Sequence, residues 1–190
     1  METKIFPGVF SKYAVKNVGF KVDGDDAYTV VDGAGTIEYN LEKRVVTKSK
    51  SNIVKKTIGG YTGEGDLTIS CHLTYELKRK IHGYADTGVA GVVGLSTSVK
   101  TPTIEITVEV EDEDGDLGYI YFPCAVVTSL GESIDSNGDE VAEDETEFTL
   151  SADAYDMPVY EAVGDDLTGS AVTSDNWLES ASSDLLNGAA

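Results

Sequence analysis

The chain has 190 residues, 41% of them hydrophobic, and a formal net charge of −20. That length fits one domain with appendages, and a surface so negative repels nucleic acid and anionic membranes. No apolar run approaches the roughly 18 residues that a membrane-crossing helix needs. The opening Met1-Glu2-Thr3-Lys4-Ile5-Phe6-Pro7 has neither the positive patch nor the apolar stretch of a signal peptide, so synthesis in a cytoplasm is expected. Twenty Gly and ten Tyr, among many Val, Thr and Ile, tilt the composition toward strands and turns. Cys71 and Cys124 are the two cysteines; both sit in apolar runs and are expected as packed thiols, not as a disulfide.

Residues 1–14 read as a loosely held N-terminal arm. Tyr13 to Val22 alternates weakly and runs into the turn signal Asp23-Gly24-Asp25-Asp26. A strand follows at Thr36–Leu41, with Ile37, Tyr39 and Leu41 on one face. Residues 43–56 reverse the sign of the chain: Lys43, Arg44, Lys48, Lys50, Lys55 and Lys56 are six of its 14 basic residues, with no acid among them. Two β-branched pairs, Val45-Val46 and Ile53-Val54, flank a polar centre there, which fits a long hairpin or extended loop.

Leu67, Ile69 and Cys71 line one face of the next strand. A helix is expected at about 74–83. Thr74 is placed to cap it, Leu73, Leu77, Ile81 and Tyr84 form its apolar stripe, Glu76 and Lys80 are spaced to pair, and Gly83 ends it. So short a helix must lean on a sheet. Residues 85–102 read as a loop. The cleanest strand is next: Ile104, Ile106, Val108 and Val110 face one way, and Thr103, Glu105, Thr107, Glu109 and Glu111 the other. After the acidic turn Asp112–Asp116, Tyr119 to Thr128 is apolar on both faces, so it is covered on one side by the core and on the other by the helix or a neighbouring subunit. A second turn, Asp135–Asp139, precedes the strand Glu147 to Ala154. Residues 161–190, rich in Gly, Ser, Ala and Asp, read as a C-terminal tail that is mobile or ordered by a partner, with Trp177-Leu178 and Leu185-Leu186 its apolar anchors. The body, 15–160, is thus expected to be mainly β: an antiparallel β-sandwich or barrel with one flanking helix and one long loop.

Chemistry is sparse. His72 and His82 have no Cys or carboxylate at metal-ligand spacing, and neither a nucleophile elbow nor a phosphate-cradling loop occurs. The turns at 112–116 and 135–139 look like the front half of a calcium loop, but Pro123 and Thr146 stand where the twelfth-position glutamate belongs. Hairpin turns use the same residues for backbone reasons. No cofactor, metal or catalytic residue is expected. The basic stretch has two readings, a solvated loop or a socket for the acidic surface of another copy; the second propagates head to tail.

Four features in order carry a family resemblance: Lys16-Asn17-Val18-Gly19-Phe20-Lys21-Val22-Asp23-Gly24; the polar loop at 43–62; the strand and helix from Gly65-Asp66-Leu67-Thr68-Ile69-Ser70 to Ile81-His82-Gly83-Tyr84; and Tyr121-Phe122-Pro123-Cys124-Ala125-Val126 running into Glu145–Ala152. In these the chain resembles, over roughly residues 10–160, the major tail (tail tube) proteins of long, non-contractile-tailed bacteriophages of Gram-positive hosts. The resemblance implies a β-sandwich with a flanking helix, six copies in a ring, and rings stacked into a hollow tube in the virion, assembled in the bacterial cytoplasm. It implies contact with tape measure, terminator and initiator proteins, and DNA passing through without specific binding. Carried over by position, 43–56 is the inter-ring loop and 1–14 a second stacking arm. Glu105, Glu109 and Glu111 are the candidates for a DNA-repelling lumen, although that face could equally point outward. The alternatives are a tube protein of a contractile injection or type VI secretion machine, a calcium-stabilised β-sandwich binding or decoration module, and, more distantly, a hydrolase.

Overall fold

A computed structural model describes residues 12, 14–33, 35–50, 53–130, 144–164, 167 and 171–188, with backbone alone at 48–50, 53–57 and 130. Mainly β is the observed class. The strands are β1 (Ala14–Val22), β2 (Thr29–Asp32), β3 (Thr36–Lys50), β4 (Ile53–Cys71), β5 (Ala85–Asp86), β6 (Val93–Gly94), β7 (Ile104–Glu111), β8 (Leu117–Leu130), β9 (Asp144–Ser151) and β10 (Tyr160–Val163). Helices α1 (Tyr75–Ile81), α2 (Trp177–Ser180) and α3 (Ser183–Leu186) complete them.

Eight strands form one antiparallel sheet in the order β2-β1-β7-β8-β9-β4-β3, with β10 added to β8. β2 and β3 lie at opposite ends of that order, yet only residues 33–35 join them. Four residue steps span at most about 14 Å, so the two ends of the sheet must come close and the sheet must curl. The backbone bridges the ends as well: Gly33 N–H donates to the Lys16 carbonyl of β1 and Gly35 N–H to the Ser70 carbonyl of β4, each at 2.8 Å. The result is a barrel with one open seam, built from a single sheet.

Alternation fills its interior. Val18, Phe20, Leu67, Ile69, Ile104, Ile106, Val108, Ile120, Phe122, Phe148 and Leu150 are all buried in one cluster. Tyr39 of β3 reaches across to Phe122 of β8, ring centroids 5.3 Å apart and edge to face. α1 stops the end of the barrel at which β4 finishes. Its Leu77 and Ile81 are buried in the same cluster, the Thr74 side chain accepts from Leu77 N–H, and Gly83 follows at φ +67°. The expected Glu76–Lys80 pair gives way to longer bridges, Lys80 to Asp25 at 3.0 Å and Lys78 to Asp144 at 2.6 Å, which tie α1 to the β1–β2 turn and to β9.

Four features of the fold differ from what the sequence predicts. β2, β10 and the small β5–β6 hairpin were not anticipated, because strands of two to four residues carry too little alternation. β9 ends at Ser151, three residues short of Ala154, where Asp153 Oδ1 accepts from Tyr155 and Met157 N–H and turns the chain. The second apolar face of β8 is covered by neither α1 nor a neighbour but by the chain's own C-terminal segment. Described residues of 161–190, read as a tail, therefore form a packed layer: Val172, Trp177 and Ala181 are buried against Tyr119 and Tyr121.

Candidate assembly surfaces

Pairing between β3 and β4 runs from Thr36↔Ser70 to Lys50↔Ile53. β9 accompanies β4 only from Cys71 back to Glu64. Beyond that point, among the described residues, β3 and β4 are paired with each other alone, a two-stranded ribbon seven residue steps long from Lys43↔Tyr61 to Lys50↔Ile53. At 3.3 Å per residue it reaches about 23 Å past the barrel. A register slip between Leu41 and Lys43, with Gly63 at φ +85°, marks its root; such a bulge bends and twists a ribbon. Of the two expected forms, a long hairpin or an extended loop, the segment takes the hairpin, with a second register slip between Lys48 and Ser49. Lys43 and Arg44 are exposed at its base, and the Lys43 ammonium sits 4.7 Å from the Tyr61 ring centre, its register partner. Lys48, Lys50, Lys55 and Lys56 belong to the ribbon by backbone register, while their side chains lie outside the described residues.

Among the described residues the ribbon's apolar surface has no cover: Val45 is 61% exposed and Tyr61 60%, and Val46 and Ile58, a register pair, are exposed too. Gly59 and Gly60 lie opposite Val45 and Arg44. A Cβ at Gly60 would meet nothing within 4 Å, and one at Gly59 only Val45 Cγ2 at 3.8 Å and the Arg44 carbonyl at 4.0 Å. Among the described residues, nothing requires glycine at either place.

Glu105, Glu109 and Glu111 share the outward face of β7, as alternation predicted, but none is a free carboxylate. Each meets a residue of β1: Lys21 Nζ is 3.4 Å from Glu105, the Asn17 amide donates to Glu109 at 2.6 Å, and Lys16 Nζ is 2.9 Å from Glu111. Glu105 Oε2 also accepts from the Tyr121 hydroxyl at 2.9 Å. The Tyr28 hydroxyl lies 2.8 Å from Glu105 Oε2 and 2.8 Å from the Ala181 carbonyl, so one proton serves a carboxylate and the C-terminal layer together. Burial first and the Glu105 charge second raise both phenols well above the ordinary tyrosine range. Thr107, between these acids, is buried with its hydroxyl 3.3 Å from the Leu178 carbonyl.

The open carboxylates are elsewhere, and the sequence reading missed them. Register puts Glu38 of β3, Thr68 of β4 and Glu147 of β9 in one cross-strand row, Asn40, Asp66 and Thr149 in the next, and Ser70 and Glu145 in another. Glu42 and Glu64 stand at the ribbon root. Glu38, Glu42, Glu64, Asp66, Glu145 and Glu147 are all exposed, and among the described residues no ion pair involves any of them. One sheet face about six residue steps long thus carries six carboxylates and no lysine or arginine. The alternation of each segment was visible in the sequence; the pairing that merges three segments into one face was not.

No family profile and no curated protein sequence matches this chain. Several solved structures are similar to this chain, among them two from an anti-feeding prophage. One is a chain of the anti-feeding prophage baseplate, six-fold symmetrised, with TM-score 0.45 and 10% identity over 85% of this chain and 97% of that one. The other is a chain of the tube-terminating cap of the same prophage, with TM-score 0.43 and 13% identity over 85% and 96%.

A cleft of about 440 Å³ marks the barrel seam between β1, β7 and the unpaired edge of β3, floored by Val108, Val110 and Ile120. The Lys12 ammonium, 2.8 Å from Glu161, stands at its mouth with Tyr39, which also bonds to Glu161. Of the expected arm, 1–14, residues 1–11 and 13 lie outside the described residues and Ala14 begins β1; the turn at 135–139 also lies outside them. In the other acidic turn Asp112 Oδ1 accepts from Asp114 and Asp116 N–H at 2.9 and 2.8 Å, so the residue works as a backbone cap. Among the described residues no three His, Cys, Asp or Glu side chains converge on a metal position.

Proposed function

We infer that this chain is a non-catalytic structural subunit of a tail-type particle, joined to further copies of itself through the β3–β4 ribbon. The observation that carries this is the ribbon. An isolated two-stranded hairpin is marginal in water, and this one leaves Val45, Val46, Ile58 and Tyr61 uncovered. A second chain lying on it would bury that surface. Charge points the same way. Residues 43–62 carry +6, which leaves −26 on the remainder of a chain of net −20 (−20 minus +6). A cationic ribbon on so anionic a body attracts the body of another copy and suppresses most other anion-seeking contacts.

The finer reading is a tail tube of a non-contractile phage: rings of six, stacked into a tube in the virion, through which DNA passes from capsid to host. The resemblance in residue order supports it, and so does the net charge, since an anionic bore repels phosphate and lets DNA slide. Glu105, Glu109 and Glu111 would contribute little to that repulsion, because lysines meet two of them and an amide the third. Tape measure, terminator and initiator proteins are the partners that this reading brings.

Replacing residues 44–60 by an Asn-Gly turn tests the reading. By sedimentation velocity and negative-stain microscopy, the full chain is expected to form rings or tubes about 80–100 Å wide, and the shortened chain to stop growing. A full chain that stays monomeric at every concentration reached overturns it.

A further inference from the structure

We propose that the β3–β4 ribbon of one copy docks on the acidic outer face of β3, β4 and β9 of the next. This rests on the self-assembly reading and names the surface that the ribbon takes. Four observations converge. The first is charge: a segment with six basic residues and no acid faces a sheet surface with six exposed carboxylates and no lysine or arginine. The second is openness. The outward face of β7 and β8 is already covered by Trp177, Leu178 and Ala181, whereas nothing among the described residues lies over Glu38, Asp66 or Glu147.

The third is length. The ribbon runs seven residue steps and the acidic rows from Thr36 to Glu42 six, about 23 Å against about 20 Å. Both belong to the same two strands, so displacing a copy along the strand axis, and sideways by the sheet-to-sheet spacing of about 10 Å, lays the ribbon of one along the acidic rows of the other. The fourth is Gly59-Gly60. Glycine in a strand interior weakens the strand and often marks a site where another backbone comes close; among the described residues nothing lies within 4 Å of a Cβ at Gly60, and only Val45 Cγ2 and the Arg44 carbonyl, at 3.8 and 4.0 Å, meet one at Gly59. The approaching surface is then outside the chain.

Charge reversal in two chains gives the test. An arm-reversed chain carries Lys43→Glu, Arg44→Glu, Lys48→Glu and Lys56→Glu; a face-reversed chain carries Glu38→Lys, Asp66→Lys, Glu145→Lys and Glu147→Lys. Each alone is expected to associate at least about tenfold more weakly than the unaltered chain, because arm and face then have the same sign. In an equimolar mixture every arm meets a face of opposite sign, so association returns, with the two chains alternating. Recovery also shows that both variants are folded, which far-UV circular dichroism checks separately. Unimpaired association of the face-reversed chain, or two defective chains whose mixture stays dead, overturns the docking proposal while leaving the self-assembly reading intact. An unaltered chain that never associates overturns both.

Discussion

Trp177 is the only tryptophan of the chain, 1% exposed, tilted against Tyr119 at 5.3 Å, with its indole N–H 3.3 Å from the Ile120 carbonyl. Truncating a buried tryptophan to alanine costs about 3–5 kcal/mol, and Trp177 is the largest fully buried side chain of the cluster that holds this layer. Trp177→Ala is therefore expected to undock residues 171–188, seen as loss of amide-exchange protection there while β7 and β8 keep theirs. Both halves of this contact were written in the sequence: β8 has two apolar faces, and a large aromatic residue stands alone in a Gly, Ser and Asp-rich segment. What no alternation pattern records is that one meets the other. The cysteines are a second case at this scale. Cys71 is buried inside the barrel and Cys124 half-buried on the outer side, where burial, then the Asp153 and Glu105 charges, push its thiol up. A thiol reagent at neutral pH should find one slow site, and the second only on unfolding.

The C-terminal layer and the ribbon each have their own physical signature. Asp153 hooks α3 to the barrel. Burial alone would raise its carboxyl, but hydrogen bonds from the Ser183 and Tyr160 hydroxyls and from Met157 and Tyr155 N–H outweigh that and hold it below the usual aspartate range. A carboxyl depressed in the folded state stabilises docking above the unfolded value of about 3.9, and that support is lost as pH falls through the folded value. Trp177 emission should therefore shift to the red below about pH 4, before far-UV circular dichroism reports loss of the strands. Asp153→Asn should remove this acid step. The ribbon was legible as a segment, through its reversed charge, but not as unsupported pairing, since the sequence does not say where β9 stops. Its glycines separate folding from association. Valine favours strands, and a Cβ meets only ordinary contacts at Gly59 and none among the described residues at Gly60, so Gly59→Val and Gly60→Val should leave the melting temperature unchanged or raised. Self-association of the same variants should fall by about tenfold or more.

For the whole molecule, one curled sheet supplies both the body and the arm, because β3 and β4 are long enough to build a barrel wall and then leave it. A contact between the far end of two strands and the near end of the same strands in another copy is heterologous, and its displacement along the strand axis keeps it from closing on itself. Any closed ring must come from a different, lateral contact. The two kinds of growth are then separable in one experiment. At about 0.15 M salt, where screening over about 8 Å leaves contact pairs largely intact, the full chain should give particles whose mass rises continuously with concentration. The chain lacking residues 44–60 should show one fixed mass, that of a ring or a monomer, at every concentration. Continuous growth without the ribbon, followed by sedimentation velocity, would move the axial contact to another part of the barrel.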